Sequence, residues 1–303
     1  MPQALNIFLA KVNFLAKAKA YIIITKPRLV VLLYFTGLAS ILIASSIYGF
    51  YWQKITLISI SIILSVMGSN ATTAYIDREM DSVMSRTVKR PVPTGIIKPA
   101  VNALIFGTAL VVIGIVLAGL VNLFAAIFIF LGFLDSAVIY NALTKKKLSI
   151  NILLGAPAGG MPIFAGWTAI SGGKIDLISV LMFFLVMLWT PMHIWSLAYF
   201  YKNDYKKANV PMLPVIIKDK IFFILLTVLN FLLIFFSVFI AFYFKLSLIY
   251  IIFSVIFGAV IIALSFILII TNKAIYAWIL FKFSSPYLGA VFLILIIEYL
   301  VLK

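Results

Sequence analysis

Apolar runs long enough to cross a bilayer alternate with short polar loops along almost the whole chain. A membrane helix needs about 20 mostly apolar residues. Nine runs meet that length: Arg28–Tyr48, Ile55–Tyr75, Ala100–Leu120, Val121–Leu143, Ile150–Ile170, Leu177–Tyr199, Ile221–Phe244, Leu248–Ile270 and Tyr276–Leu302. The pattern predicts nine transmembrane helices. The third and fourth runs abut at Val121–Asn122, where only Gly119 and Asn122 mark a turn. The fifth run carries Gly155, Pro157, Gly159, Gly160 and Pro162 and is expected to kink, with neighbouring helices satisfying the freed backbone groups. Ahead of the first run, Asn6 to Lys19 mixes Ile7, Phe8, Phe14 and Leu15 with Lys11, Lys17 and Lys19. That mixture predicts an amphipathic segment on the membrane surface. Residues 1–27 are thus read as a cytoplasmic N-terminal segment of one membrane-embedded unit spanning 1–303, with no cleavable signal peptide expected.

Composition agrees with that pattern. The 303 residues are 65% hydrophobic and 11% charged, and mean hydropathy is +1.23. A soluble domain carries about a quarter charged residues, so the solvent of this chain is largely lipid. Cysteine is absent and there is one histidine, which excludes disulfides, thiolate chemistry and any site built from several histidines. With the N-terminus placed in the cytoplasm, most of the 24 Lys and Arg fall in cytoplasmic loops, leaving Lys54, Lys174, Lys245 and Lys303 outside and Lys282 within the last span. That asymmetry is the positive-inside signature. It puts the C-terminus outside and accounts for the net charge of +16 without nucleic acid.

Hydropathy alone also fits a transporter or channel. The eight carboxylates separate the readings. Asp77 and Asp81 lie four apart, on one face of a helix continuing from the second span. Such a pair at the mouth of a bundle can hold Mg²⁺, which takes oxygen ligands and bridges carboxylates to phosphates. Arg78, Arg86, Lys89 and Arg90 stand near it as donors for phosphate oxygens. A surface salt-bridge patch is the plainer alternative. A second cluster, Tyr201-Lys202-Asn203-Asp204-Tyr205-Lys206-Lys207, lies on the same membrane face, as does the Lys145–Lys147 run, which also serves as an orientation signal. Acids and bases converging on one mouth suit a diphosphate held through metal, with basic side chains stabilising the leaving group. His193, late in the sixth span, is either a structural residue beside Trp189 and Trp195 or a functional one. Asp135 within the fourth span should face the interior and pair with a donor, and Glu298 is expected at the outer interface. Gly155, Gly159 and Gly160 allow close helix approach or room for a flat ligand.

At these residues the sequence resembles the protohaem IX farnesyltransferase (haem O synthase) family, a branch of the UbiA superfamily of intramembrane prenyltransferases. The resemblance runs in order through Thr25-Lys26-Pro27-Arg28, Thr36-Gly37, Tyr75-Ile76-Asp77-Arg78-Glu79-Met80-Asp81, Met84, Arg86-Thr87, Arg90-Pro91-x-Pro93-x-Gly95, Tyr140, Lys145-Lys146, Asn151, Gly155, Gly159, Pro162 and Gly166-Trp167. It continues through Trp189-Thr190-Pro191-x-His193-x-Trp195, Asp204-Tyr205, Ala208 and Pro211-Met212-Leu213-Pro214-Val215, covering roughly two-thirds of the chain. The last three spans carry no motif. The resemblance implies an all-α integral membrane fold, a nine-helix bundle around a lipid-embedded central cavity. It implies transfer of farnesyl from farnesyl diphosphate, or a longer prenyl diphosphate, to a vinyl group of haem B with addition of water. The products are haem O, destined for haem–copper oxidases, and diphosphate, with a haem A synthase as a possible partner. Carried over residue by residue, Asp77, Asp81 and Asp204 become the catalytic Mg²⁺ ligands. Arg78, Arg86, Arg90, Lys145, Lys146 and Lys202 become diphosphate donors, and His193 a haem contact. A quinone precursor or lipid alcohol would be the acceptor in other branches of the superfamily. Three positions depart from the pattern: Thr73 stands for an expected Asn, with Asn70 one turn earlier as a substitute amide, Asn203 stands for an Asp, and Met192 for a Pro.

Overall fold

The computed structural model describes residues 15–302, which contain helices and connecting turns and no strand. Among them nine helices are long and apolar enough to cross a membrane: α1 (Pro27–Tyr48), α2 (Trp52–Ile76), α3 (Val101–Val121), α4 (Leu123–Thr144), α5 (Asn151–Ser171), α6 (Leu177–Phe200), α7 (Asp219–Tyr243), α8 (Leu248–Thr271) and α9 (Ala274–Leu302). Their edges fall within a few residues of the hydropathy runs. Residues 15–24 form a further helix that buries Ala20 and Ile24 against Ala71 and Ala74 of α2, Ala103 of α3 and the Val92–Ile97 loop. Of the amphipathic segment read from the sequence, Ile7, Phe8, Lys11 and Phe14 lie outside the described residues.

Lipid gives no hydrophobic drive between helices, so close packing and interhelical hydrogen bonds hold such bundles together. The α2–α3 pair shows both. A Cβ added to Gly107 would sit 2.5 Å from the Thr72 backbone nitrogen, so only glycine lets the helices meet there. Two turns on, Ser61 Oγ donates to the Gly114 carbonyl at 2.6 Å. The α3–α4 break occurs at Asn122, which turns extended and caps α4 by accepting from the Phe124 N–H at 2.8 Å.

The expected kink in α5 is not a break: the helix runs continuously through Pro157 and Pro162. The adjacent Ala158 N–H donates to Asp135 Oδ2 of α4 at 2.7 Å, and α4 widens into π-helical turns from Leu134 to Thr144. Asp135 therefore acts as a brace between helices. Glu298, expected at the outer interface, is buried against the turn that precedes α8. Its carboxylate accepts from the Ser247 N–H at 3.1 Å and from the Ser247 hydroxyl, closing the start of α8. At that same end of the bundle Asp176 accepts from Tyr48 Oη at 2.6 Å and Trp167 Nε1 at 3.0 Å. The opposite face carries the end of α2, the ends of α4 and α6, and the starts of α1, α5 and α7.

Candidate active site

α2 ends at Asp77, and a short helix, Arg78–Val83, restarts there. The Asp81 N–H donates to the Asp77 carbonyl at 2.8 Å, so one helical turn separates the two acids as the spacing predicts. Both are buried, with 4% and 1% of their surface accessible. Each has one oxygen in a short ion pair: Lys145 Nζ meets Asp77 Oδ2 at 2.6 Å, and an Arg90 guanidinium nitrogen meets Asp81 Oδ2 at 2.7 Å. The other oxygen of each, Oδ1, is buried without a hydrogen-bond partner. Orphaned carboxylate oxygens are costly in a low-dielectric site and call for a ligand. Two such oxygens one turn apart are hard donors and fit Mg²⁺ by chemistry and count.

Lys145 is held from several sides. Its ammonium also donates to Asn141 Oδ1 at 3.0 Å, and its carbonyl accepts from Asn151 Nδ2 at 3.1 Å. Burial alone would push this lysine toward neutrality, but the Asp77 charge beside it, with Tyr140, holds its pKa above the ordinary lysine value. Gly155 makes room for Tyr140, since a Cβ there would lie 2.7 Å from the ring. Gly160 likewise makes room for Phe183. Protein side chains thus fill the space at both.

Lys26 is the residue whose role sequence reading missed. It sits in left-handed backbone (φ 54°) immediately before α1, and its ammonium reaches Thr73 Oγ1 at 3.4 Å. With Asp81 and Arg90 it lines a cavity of about 30 Å³. Burial, reinforced by the Arg90 charge against the pull of Asp77, lowers its pKa to about 8. Lys26 therefore stands beside the position where the family pattern has an amide. Asn70, the suggested substitute, instead ties its Nδ2 to the Thr25 carbonyl at 3.0 Å and fixes the approach to α1.

The remaining predicted donors are arranged differently. Asp204, in the short helix Lys202–Lys207, accepts from Ser85 Oγ at 2.7 Å and the Arg86 N–H at 3.2 Å, joining the loop after α2 to the loop after α6. Among the described residues no three of His, Cys, Asp and Glu are grouped to hold one ion, so Asp204 is not gathered with Asp77 and Asp81. Arg86 lies over the Tyr201 ring. Arg78 and Lys146 pair with the exposed Glu79 at 3.3 and 3.7 Å. Lys202 pairs with Asp219 at 2.6 Å and fixes the loop to α7. These three cations serve other acids rather than the Asp77–Asp81 pair.

His193 lies seven residues before the end of α6, about 10 Å along the helix from that end. Its ring stacks on Trp189 at 4.3 Å and packs against Phe281 at 4.4 Å between centroids, and its Nδ1 is 2.6 Å from Ser284 Oγ. Tyr201, Trp278 and Phe281 form a continuous aromatic series from the mouth down to it.

A helical membrane bundle with a buried acid pair ringed by cations at one mouth is the architecture of intramembrane prenyl transfer. The chain belongs to the UbiA prenyltransferase family, whose signature matches residues 32–295. It is 40% identical over 288 residues to the protoheme IX farnesyltransferase of Desulforudis audaxviator, covering 94% of this chain and 90% of the relative. It is 38% identical over 284 residues to the protoheme IX farnesyltransferase of Thermoplasma acidophilum, covering 93% and 98%. The fold superposes on a solved structure of digeranylgeranylglyceryl phosphate synthase with a TM-score of 0.75 at 22% identity, covering 93% of this chain and 98% of that one. It also superposes on a UbiA homologue from Archaeoglobus fulgidus bound to DMAPP and Mg²⁺, with a TM-score of 0.62 at 17% identity, covering 90% and 98%. At those identities the two structures establish the fold alone.

Proposed function

We propose that this membrane protein is a Mg²⁺-dependent protohaem IX farnesyltransferase that makes haem O and diphosphate from haem B, farnesyl diphosphate and water. The observation that carries the reading is the orphaned oxygen on each of two buried carboxylates, flanked by three cations, in a chain about 40% identical to protoheme IX farnesyltransferases. Asp77 and Asp81 would hold Mg²⁺, which when bound neutralises the diphosphate and makes it a better leaving group. Lys145, Arg90 and Lys26 supply positive charge at the same mouth, so the allylic C–O bond breaks with its electron pair leaving on diphosphate. The surrounding apolar helices exclude water from the resulting allylic cation. The vinyl π electrons of haem form the new C–C bond. Water then adds to the resulting cation and loses a proton, giving a hydroxyethylfarnesyl group. Asp204 closes the two loops over this mouth, and Arg86 beside it would meet diphosphate. His193 is the haem contact. The active-site face is cytoplasmic and the C-terminus outside, in the cell membrane. A haem A synthase would be the natural consumer of the product.

The test is product analysis. Purified protein with Mg²⁺, haem B and farnesyl diphosphate should yield a haem heavier by one farnesyl group plus one hydroxyl. The Asp77→Asn and Asp81→Asn variants should yield none while remaining folded. A prenylated quinone precursor or lipid alcohol in place of that haem would overturn the acceptor, and full activity of either Asn variant would overturn the metal assignment.

A further inference from the structure

Both faces of the His193 ring are covered, by Trp189 and by Phe281, so any ligand must approach through the ring edge. Metal ligation uses that edge, because the imidazole lone pair lies in the ring plane. Which nitrogen carries the lone pair follows from Ser284 of α9. The Ser284 hydroxyl donates its single hydrogen to the Phe281 carbonyl at 2.8 Å. Toward Nδ1, 2.6 Å away, its oxygen is then left to accept. With the hydroxyl so committed, the matching neutral tautomer carries the ring hydrogen on Nδ1 and leaves Nε2 unprotonated. Ser284 also holds the ring's stacking partner, since its carbonyl accepts from Trp189 Nε1 at 2.8 Å. One residue of α9 thus sets the position of the indole with its backbone and the tautomer of the imidazole with its side chain.

We propose that Ser284 is a positioning residue that fixes His193 as the Nδ1–H tautomer and so presents Nε2 to the iron of the haem substrate. The proposal rests on the reading of His193 as the haem contact. A histidine that ligates a metal donates its other ring N–H to a neighbouring acceptor, and losing that acceptor costs about 10–100-fold in affinity. A Ser→Ala change leaves the backbone contact to Trp189 in place and removes only the hydroxyl.

The experiment is haem B titration of the purified protein, read by resonance Raman and absorption spectra, on the wild type, Ser284→Ala, Ser284→Thr and His193→Ala. Binding of Mg²⁺ with farnesyl diphosphate reports separately that each variant is folded. The wild type should show an iron–histidine band that His193→Ala abolishes. Ser284→Ala should shift that band and weaken haem binding about 10–100-fold, and Ser284→Thr, which keeps the hydroxyl, should restore both. If Ser284→Ala keeps the wild-type band and affinity, the positioning role is wrong while the histidine contact stands. If His193→Ala leaves the spectrum unchanged, the underlying reading of His193 is wrong.

Discussion

Replacing Lys145 by Met tests the charge balance of the site without touching either carboxylate. The ion pair with Asp77 is buried, with 10% and 6% of the two side chains accessible, and the second Asp77 oxygen has no partner. Removing one member of a buried pair leaves an uncompensated charge and costs about 3–5 kcal/mol. At about 2–4 °C per kcal/mol, the variant should melt about 6–20 °C below the wild type in EDTA. A cation on Asp77 would replace part of the missing charge. Mg²⁺ at 100 times its Kd stabilises by about 2.7 kcal/mol, so Mg²⁺ should recover much of the loss. A Lys145→Met/Asp77→Asn double variant removes both charges and should melt closer to the wild type in EDTA, without that recovery. The assay is thermal unfolding of the detergent-solubilised protein with and without Mg²⁺. A Lys145→Met variant that melts like the wild type in EDTA, or one that Mg²⁺ does not stabilise, would refute the reasoning.

Lys26→Met should weaken prenyl diphosphate binding, measured by titration in Mg²⁺. Because the Lys26 pKa lies near 8, below the 10.5 of a free lysine, the ammonium is present below that pH and lost above it. Diphosphate affinity should fall as pH rises through about 8, and Lys26→Arg should move that alkaline limb upward. The unfolded chain holds more protons than the folded one between about 8 and 10.5, so this group's penalty on stability is full below pH 8 and is relieved across that interval. Asp135→Asn keeps an oxygen for the Ala158 N–H and should melt near the wild type, whereas Asp135→Leu should lose about 1–3 kcal/mol in the same unfolding assay. Gly107→Val should disrupt the α2–α3 contact and lower the melting temperature, because its side chain has no room beside Thr72.

The bundle was legible because transmembrane length and polar interruption are local properties. Even the α3–α4 break at Asn122 shows as one capping side chain between two apolar runs. The acid pair was legible for the same reason, since i, i+4 spacing sets the two acids one turn apart, and the turn survives where α2 ends at Asp77 and the short helix carrying Asp81 begins. Its partners were not. Lys145 reaches Asp77 from 68 residues away, and Lys26 reaches Thr73 from 47, distances bridged only by helix packing. Its place in the second charged cluster and the family resemblance made Lys202 a diphosphate donor, and in space it pairs with Asp219. Gly155, Pro157, Gly159, Gly160 and Pro162 of α5 suggested a kink; the helix is continuous there, and a carboxylate on the neighbouring helix meets a backbone N–H beside Pro157. Asp135 could be recognised as needing a donor, while that donor's identity depended on the register between α4 and α5.

The most direct test is a structure of the protein with Mn²⁺ in place of Mg²⁺ and a non-cleavable farnesyl diphosphate analogue. Anomalous signal locates the metal independently of the surrounding density. The account predicts a peak within coordination distance of Asp77 Oδ1 and Asp81 Oδ1, with diphosphate oxygens on its far side and Lys145, Arg90 and Lys26 around them. A metal peak elsewhere, with both of those oxygens still unliganded, would contradict it.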